Sequence, residues 1–287
     1  MSWIWVNGEW FSSDQPVLSA QDRGFLYGDG VFETLRVYGG EVFQLGAHWR
    51  RLARSAEFLR IPLTWRPEKI ADVLAELLER NGTPEAAARI ALSRGPSSPG
   101  LRMNGPAEPT LLIQSRVFRP CPSEIYRRGA DLVIAQVRQN ADSPLSRHKT
   151  ANYLLSILAR QEAFEAKAHD ALILNQYGQV CETSVANIFW VRDSEIHTPP
   201  AHCGLLLGIT RSNVFRIAEK HGIMCRETAI QAGEIFSMEE VFMTNSLMEI
   251  APVRRIDGRQ IGSAAPGKVT GALMARYRER SSWAQRG

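Results

Sequence analysis

Residues 146–154 read Ser146-Arg147-His148-Lys149-Thr150-Ala151-Asn152-Tyr153-Leu154 and place a lysine just before a strongly patterned segment. The apolar spacing of that segment predicts a helix over about 150–166. Lysine is scarce in the chain, with five among 34 basic residues, and a helix start disfavours a cation. Formation of an imine would remove this unfavourable positive charge. Lys149 is therefore the candidate for a covalent link to a carbonyl cofactor. A solvated loop lysine is the alternative interpretation.

The chain around this stretch predicts a mixed domain over 131–287. Its expected elements are a strand at 131–137, the helix just described, a hairpin of 171–175 and 179–191 around Gly178, a helix at 210–221 and a strand at 241–244. Helices that alternate with strands in this way are typical of an α/β architecture.

The residues further toward the N-terminus predict a smaller α/β domain over 1–117. Its expected elements are a hairpin of Ile4–Val6 and Glu9–Phe11 around Asn7-Gly8, a strand at Val31–Tyr38, helices at about 46–59 and 67–80, and strands at 88–93 and 110–115 that flank a Gly/Pro/Ser loop from 94 to 109. Two prolines in Phe118–Ser123 indicate an extended linker, assigned to 118–130. We therefore predict an α/β (α+β) fold of two domains, with a ligand-binding cleft between them.

The composition narrows the class of protein. The chain has 287 residues, of which 44% are hydrophobic, as is usual for globular proteins. A formal net charge of +4 with scattered arginines argues against nucleic-acid binding and suits an anionic small molecule. The sequence shows neither a leader nor a long apolar run, so we expect no membrane association and a cytoplasmic location. Its four cysteines lack metal-ligand spacing, which predicts reduced thiols and no metal site.

Three further segments contain polar groups at the ends of apolar elements. Glu182 begins Glu182–Phe189, where the spacing alone favours a solvated edge-strand carboxylate. Thr210 is expected to cap the helix at 210–221, whose unpaired amides would suit a phosphate. Ser246 follows an apolar strand in Met243–Leu247, a pattern that either holds phosphate or forms a turn.

Six segments, in order, together carry a specific resemblance. They are Asp22–Glu33, His48–Leu52, the Lys149 stretch, Glu182–Phe189, Gly208–Arg211 and Asn245–Val253. On these motifs the chain resembles the fold-type IV pyridoxal 5'-phosphate (PLP) enzymes, which include branched-chain aminotransferases, D-amino acid aminotransferases and 4-amino-4-deoxychorismate lyases. The resemblance implies a two-domain fold with PLP in the interdomain cleft, and a homodimer.

The same resemblance implies roles for individual residues. Lys149 would form the imine with PLP and later move protons, and Glu182 would keep the pyridine nitrogen protonated so that the ring accepts electrons. Tyr153 is similar in position to a tyrosine that bonds the phenolic oxygen of PLP, although this chain is one residue shorter between Lys149 and Tyr153. The residues that correspond to the phosphate cradle are Arg51, Ile209, Thr210 and Ser246.

Within this group the motifs favour the lyase. The 94–109 loop lacks the Arg-x-His pair of D-amino acid aminotransferases, and the strand and turn motifs of branched-chain enzymes are replaced by Ala91-Leu92-Ser93 and Asn245-Ser246-Leu247. Phe32-Glu33-Thr34 and Thr244–Leu247 are most similar to 4-amino-4-deoxychorismate lyases, which release pyruvate and 4-aminobenzoate for folate biosynthesis through an external aldimine. The alternatives are a transaminase of branched-chain or D-amino acids or (R)-amines with a 2-oxo acid acceptor, and a cofactor-binding protein without turnover.

The lyase interpretation also assigns the substrate contacts. Thr34 would help to protonate the departing methylene, and Phe32 beside it would contact the substrate. Arg36 and Arg102 would pair with the two carboxylates of this anionic amine, and a surface arginine is the alternative for each.

Overall fold

The computed structural model describes residues 2–97, 100–102 and 108–283, with side chains as far as residue 279, and the chain divides into two compact units. The first comprises Met1–Arg119 and His148–Asn152, and the second comprises Pro120–Arg147 and Tyr153–Ser282. The prediction that Lys149 belongs to the domain over 131–287 is therefore wrong. Residues 98, 99 and 103–107 of the predicted 94–109 loop lie outside the described residues.

The first unit contains a six-stranded antiparallel sheet and three helices. The strands are β1 (Trp3–Val6), β2 (Glu9–Ser12), β3 (Gly30–Tyr38), β4 (Glu41–Val42), β5 (Ala86–Ser93) and β6 (Thr110–Val117), and the helices are α1 (Arg23–Tyr27), α2 (Leu45–Phe58) and α3 (Pro67–Asn81). The strand order is β2-β1-β6-β5-β3-β4. The strands and helices predicted in this half are confirmed, with bounds that move by one or two residues. Positive φ angles at Asn7 and Gly8 fit the predicted hairpin turn.

The sheet of the first unit has two unlike faces because side chains alternate along each strand. Helices α2 and α3 pack on the face that carries Val31, Glu33, Leu35 and Val37, which we call the helix face. The opposite face, which we call the arginine face, carries Phe32, Thr34 and Arg36 of β3, Ala87, Arg89 and Ala91 of β5, and Leu112, Gln114 and Arg116 of β6. The hydrophobic core of this unit lies between the helix face and the two helices.

The second unit is built on a nine-stranded sheet. Its strands are β7 (Ala130–Gln139), β8 (Asp170–Asn175), β9 (Val180–Thr183), β10 (Asn187–Arg192), β11 (Glu195–Thr198), β12 (Cys225–Glu227), β13 (Glu240–Asn245), β14 (Glu249–Ile256) and β15 (Arg259–Gln260). Its helices are α4 (Ser123–Arg128), α5 (Leu154–Glu165), α6 (Ile209–Lys220) and α7 (Lys268–Trp283). The order is β12-β11-β10-β13-β14-β7-β8-β9, and a pairing of β9 with β10 closes six of these strands into a ring.

Three sequence predictions fail in this half for local reasons. The expected linker at 118–130 contains α4, whose Ile125 packs into the core of the second unit. The predicted strand at 179–191 breaks at 184–186, because the buried Asp170 carboxylate accepts hydrogen bonds from the hydroxyls of Thr183 and Ser184 and draws the chain into a turn. The helix expected from 150 begins only at Leu154, since Lys149, Thr150 and Ala151 are bonded to β3 through their backbone.

No helix among the described residues combines the length and the apolar character that crossing a bilayer requires.

Candidate active site

The Lys149 stretch is held by the first unit as an additional extended segment at the start of β3. The amide of Phe32 donates to the carbonyl of Lys149 at 2.9 Å, and the amide of Ala151 donates to the carbonyl of Gly30 at 2.8 Å. Thr150 forms the intervening bridge with Val31. These backbone bonds explain why the stretch is extended rather than helical, and they correct the expectation that Lys149 lies at a helix start.

Side chains on either side of Lys149 fix the segment further. The ring of His148 stacks on Phe58 of α2 with centroids 4.1 Å apart, and its Nδ1 lies 3.1 Å from the hydroxyl of Ser55. On the other side, the side-chain amide of Asn152 donates to the carbonyl of Gly28 at 3.2 Å. Gly28 has a φ of 67°, and a Cβ there would lie 2.7 Å from the Asn152 side-chain oxygen, so glycine is required. The backbone of Lys149 is thus fixed from both neighbours.

The side chain of Lys149 extends over an aromatic ring. Its Nζ lies 4.5 Å from the centroid of Phe32, and Cζ of Arg89 lies 3.7 Å from the same centroid. Thr34 is two residues along β3 from Phe32 and pairs in register with Arg89. The structure therefore places Lys149 against Phe32, and it places Thr34 on the same face of β3 as Phe32.

On the helix face, one buried carboxylate organises two basic side chains. Glu33 is fully buried, and its Oε1 and Oε2 accept hydrogen bonds from Nε and Nη2 of Arg51, each at 2.7 Å. Nδ1 of His48 lies 2.7 Å from Oε2 of the same carboxylate. Because both basic residues lie on α2, this cluster joins the helix to β3 and fixes the orientation of the Arg51 guanidinium.

The charges in this cluster follow from the balance between burial and pairing. Burial alone would raise the pKa of Glu33, but the hydrogen bonds and charge of Arg51, with a smaller effect from His48, lower it to about 2. Burial lowers the pKa of His48, against the opposing effect of Glu33. Glu33 is therefore ionised and His48 neutral at pH 7, so the imidazole donates its Nδ1 proton to the carboxylate.

In the second unit, Asn187 contacts the segments that contain other predicted site residues. It pairs in register with Glu182 of β9 and with Thr244 of β13. Its side-chain amide donates to the carbonyl of Leu206 at 2.7 Å, just before α6. Glu182 is half-buried, and its Oε2 accepts from the amide of Leu206 at 3.3 Å. The solvated edge-strand alternative for Glu182 is thus wrong, because β9 lies between β8 and β10.

The start of α6 differs from its prediction. Gly208 occupies the N-cap position and no side chain caps the helix, so the expected capping role of Thr210 is wrong. A Cβ at Gly208 would lie 2.1 Å from the Asn187 oxygen, which explains the glycine. Ile209 and the buried Thr210 form the first turn, where helix amides can bind an anion.

The turn after β13 is shaped by Asn245 rather than by Ser246. The Asn245 side-chain oxygen accepts from the amides of Leu247 at 2.9 Å and Met248 at 2.7 Å, a turn that asparagine commonly makes. Ser246 is half-buried within this turn. The buried hydroxyl of Thr244, at the end of the strand, has no hydrogen-bond partner.

Tyr153 lies at the N-cap of α5 and lines a groove of about 460 Å³ on the second unit. Ile157 and Phe164 from the same helix, and Val185 from the turn before β10, line it too.

The arginines predicted to bind substrate carboxylates have other positions. Arg36 is buried, and its guanidinium pairs with Glu85, donates to backbone carbonyls and stacks on Phe118 with Cζ 3.6 Å from the ring centroid. These contacts give Arg36 partners within the first unit, and its assignment to a substrate carboxylate stays a prediction. Arg102 is exposed in the loop before β6, where no described contact brings it to Lys149.

Sequence reasoning missed two features of this region. Arg89 lies in an alanine-rich strand, and its register opposite Thr34 places it on the same face as Phe32, whose ring it contacts. Glu33 and His48 lie within two of the six motifs, but the motifs indicate no function for either residue. The spacing of His48 and Arg51 by three residues, which places both on one side of a helix, was the available signal.

With the fold and these residues described, comparisons with known proteins define the class. A family model described as "Amino-transferase class IV" matches residues 30–256. The chain belongs to this family, and it is a PLP-dependent enzyme.

Individual relatives cover nearly the whole chain. It is 34% identical over 98% of its length to a putative branched-chain-amino-acid aminotransferase of Methanocaldococcus jannaschii, covering 97% of that protein. It is 32% identical over 96% of its length to the aminodeoxychorismate lyase of Bacillus subtilis, covering 94% of it. The structure of the branched-chain aminotransferase from Thermoproteus uzoniensis with norvaline superposes with a TM-score of 0.89, at 28% identity, over 96% of this chain and 93% of that one.

The residues of both units fit the chemistry of PLP. The first turn of α6 has no side-chain cap, and nearby Thr244 has a buried hydroxyl without a partner, which suits a phosphate or another acceptor-rich group. Glu182 supplies a half-buried carboxylate in the same region, as a protonated pyridine nitrogen requires. In the first unit, Lys149 supplies an amine on a fixed backbone.

Proposed function

We propose that the protein is a PLP-dependent 4-amino-4-deoxychorismate lyase that releases pyruvate and 4-aminobenzoate. The observation that carries this proposal is the shared face of β3 on which Thr34 lies with Phe32 and the ammonium group of Lys149. A lyase of this kind needs one group that removes a ring proton and a second that protonates the departing enolpyruvyl methylene. The identity to the Bacillus subtilis lyase supports the same activity.

Each proposed residue has one task. Lys149 forms the covalent link to PLP and takes the proton from the ring carbon that bears the substrate amine. Thr34 donates its hydroxyl proton to the methylene as the ether bond to the ring breaks. When bound, PLP supplies an electron sink that stabilises negative charge at that ring carbon.

The remaining proposed residues hold the cofactor. Glu182 keeps the pyridine nitrogen protonated, because a carboxylate there stabilises the charged form. The phosphate is bound by Arg51, Ile209, Thr210 and Ser246. Tyr153 forms a hydrogen bond with the phenolic oxygen. The pairing of Arg51 with Glu33 sets the direction of its guanidinium before any ligand binds.

Transamination is the second candidate. Arg36 already pairs with the carboxylate of Glu85. One of the two arginines assigned to a dicarboxylate substrate therefore has a partner within the protein, which weakens the support for the lyase. The identity to the putative branched-chain aminotransferase also favours this activity. A transaminase would use Lys149 in the same way but would require a 2-oxo acid acceptor.

One assay separates the two activities. Purified protein loaded with PLP is mixed with 4-amino-4-deoxychorismate alone and, separately, with D-alanine, L-leucine or (R)-1-phenylethylamine plus 2-oxoglutarate. Pyruvate and 4-aminobenzoate formed without an acceptor support the lyase. Glutamate formed only with an acceptor, and no 4-aminobenzoate, would overturn it.

Variants of Thr34 sharpen this assay. Thr34→Val removes the hydroxyl with little change of shape, and Thr34→Ser keeps it. We expect lyase turnover to fall by about 10²- to 10⁴-fold in the first and to be largely kept in the second. Equal rates in the two variants would remove Thr34 from the reaction.

We also propose a homodimer, supported by exposed apolar side chains along α5. Leu154, Ile157, Leu158 and Phe164 are between 47% and 76% exposed, which is unusual for so many apolar residues on one helix of the second unit. Light scattering on the purified protein would test this, and a monomer at micromolar concentration would exclude it.

A further inference from the structure

We infer that His148 is a positioning residue that holds the neighbouring Lys149 at a fixed distance from Arg51. The inference rests on the proposed roles of Lys149 and Arg51, which take the aldehyde and the phosphate of PLP. A ligand held at both ends binds strongly only where the two protein groups lie at the matching separation. The contacts of His148 set that separation within the first unit.

The segment that carries Lys149 is a short addition to the sheet. The first unit takes only His148–Asn152 from this part of the chain, and β3 holds the segment through the backbone bonds of Phe32 with Lys149 and of Ala151 with Gly30. A short segment with few ladder bonds opens locally at a small cost in free energy. Side-chain contacts are therefore important for keeping the lysine amine in one position.

The side chains of His148 and Lys149 lie on opposite sides of this extended segment, as successive side chains do. Lys149 lies over the ring of Phe32 on the arginine face. His148 lies against α2, where its ring stacks on Phe58 with centroids 4.1 Å apart and its Nδ1 is 3.1 Å from the hydroxyl of Ser55. His148 thus fixes the segment from the side opposite the amine.

Helix α2 carries Arg51 on the same side as both partners of His148. Arg51, Ser55 and Phe58 are spaced by four and then three residues, which places them along one side of the helix. Ser55 lies about 6 Å and Phe58 about 10 Å along the helix axis from Arg51. Because Glu33 fixes the guanidinium of Arg51, the contacts of His148 with α2 also set the distance from the lysine amine to that guanidinium.

The electrostatics of His48 supports this arrangement. Burial is the main reason that the pKa of His48 is lowered, and Glu33 opposes that effect. The positive charges of Arg51 and Lys149 both lower the same pKa further. The two cations that would hold PLP therefore act on one imidazole of α2, as groups close to each other do.

The contacts of His148 can be removed without a large change in the core. Phe58 is 44% exposed and His148 is half-buried, so truncation of either side chain removes little apolar area from the core. Ser55 is buried, and Ser55→Ala removes one hydroxyl while leaving the helix propensity favourable. Variants at these positions therefore test the placement of Lys149 rather than the fold.

Four variants of the full-length protein separate the two contacts. His148→Ala removes both, and His148→Phe keeps the stack without the hydrogen bond. Ser55→Ala and Phe58→Ala each remove one contact from the side of α2 and leave the lysine segment unchanged. His221→Ala, at an exposed position after α6, is the control. Each protein is freed of cofactor and compared with the wild type by far-UV circular dichroism.

Three ligands are then titrated into each protein. PLP engages both Lys149 and Arg51, whereas pyridoxal has the aldehyde without the phosphate, and inorganic phosphate has no aldehyde. Visible absorbance follows the link of PLP or pyridoxal to the lysine, and calorimetry follows the binding of phosphate. This comparison distinguishes a change in the separation of the two groups from damage to either group.

The expected result is a selective loss for the ligand that is held at both ends. His148→Ala should raise the Kd of PLP by about 10-fold, because the lysine segment loses a stack and a hydrogen bond and the effective concentration of the amine falls. The Kd of pyridoxal and of phosphate should change by less than about twofold, since each uses one group. His148→Phe, Ser55→Ala and Phe58→Ala should give smaller rises, and His221→Ala should match the wild type.

A double variant checks that the two sides act through one contact. Ser55→Ala should raise the Kd of PLP in the wild type but cause no further rise in the His148→Ala background, because the hydrogen bond is already absent there. An equal rise in both backgrounds would show that Ser55 acts independently of His148 and would contradict the inference.

The outcomes separate this inference from the proposed function. A selective loss of PLP affinity supports the inference even if the protein turns over none of the tested substrates, a result that would reject the proposed function alone. An equal PLP Kd in the wild type and His148→Ala, or an equal rise for all three ligands, would overturn the inference while leaving the lyase assay to stand. If His148→Ala does not fold, unchanged PLP binding in both Ser55→Ala and Phe58→Ala would overturn it.

Discussion

The two faces of strand β3 differ in the contacts that their charged side chains make. On the helix face, Glu33 is enclosed by Arg51 and His48, and its charge is balanced within the first unit. One residue away, on the arginine face, Phe32 contacts the cationic groups of Arg89 and Lys149. The difference shows that neighbouring residues of one strand can hold charge in two ways, through ion pairs that close a buried carboxylate on one face and through an aromatic ring that contacts two cations on the other.

Removal of Lys149 should have the largest effect, and it acts on the arginine face alone. Lys149→Ala should lower turnover by at least about 10³-fold and abolish the visible absorption of the cofactor–lysine link, because the amine that forms this link is gone. The free energy of unfolding should change little. Lys69→Ala, at an exposed position on α3, is the control. Borohydride reduction followed by peptide mapping provides an independent check, and an adduct at another lysine would contradict the assignment.

A change on the helix face should act strongly on stability. Glu33→Gln leaves the Arg51 guanidinium buried without its carboxylate, so the free energy of unfolding should fall by about 3–5 kcal/mol. Urea denaturation measures this loss. Glu76→Gln breaks the surface pair with Arg80 on α3 and should cost less than about 1 kcal/mol. Similar losses in the two variants would show that the buried cluster contributes no more than a surface ion pair.

Acid should reduce the contribution of the Glu33 cluster to the free energy of unfolding. The pKa of Glu33 is lowered to about 2 in the folded state from the ordinary 4.5, so its ionisation stabilises the fold fully above about pH 4.5. That contribution, on the order of 3 kcal/mol, should be lost as the pH falls from about 4.5 to about 2. Denaturation of wild type and Glu33→Gln at several pH values isolates it. The two proteins should converge in stability at low pH, and parallel curves would refute the assignment.

Arg36, one of the three arginines on the arginine face, should give the smallest effect. Arg36→Gln breaks the pair with Glu85, which is half exposed, so the unfolding free energy should fall by only about 1–2 kcal/mol. Steady-state kinetics should show a KM close to that of the wild type. A KM increase restricted to carboxylate substrates would instead restore Arg36 as a substrate-binding residue.

Much of the first unit could be predicted because its signals are local. Alternating apolar residues in β3 and β5, and the apolar spacing of α2 and α3, identify the elements within two residues. The second unit was harder because its elements depend on distant partners. The turn at 184–186 exists because Asp170, on another strand, accepts from Ser184, and no local pattern encodes that contact.

The candidate site also contains features that local motifs predict and features that depend on distant residues. Motif resemblance selected Lys149, Glu182 and Thr210, since the residue types that bind PLP are chemically restricted. It could not reveal that Arg36 pairs with Glu85, because that partner lies 49 residues away in the sequence. The contact of Arg89 with Phe32 depends on register, which sets which side chains share a face.

The sequence by itself determined the family, the PLP chemistry and most elements of the first unit, because apolar periodicity and the restricted residue types of the motifs act over short stretches of chain. Tertiary structure alone decided that the Lys149 stretch pairs with β3 and belongs to the first unit. It also decided which arginine contacts the same aromatic ring as Lys149, because hydrogen bonds between distant strands set the register and the register sets which side chains meet.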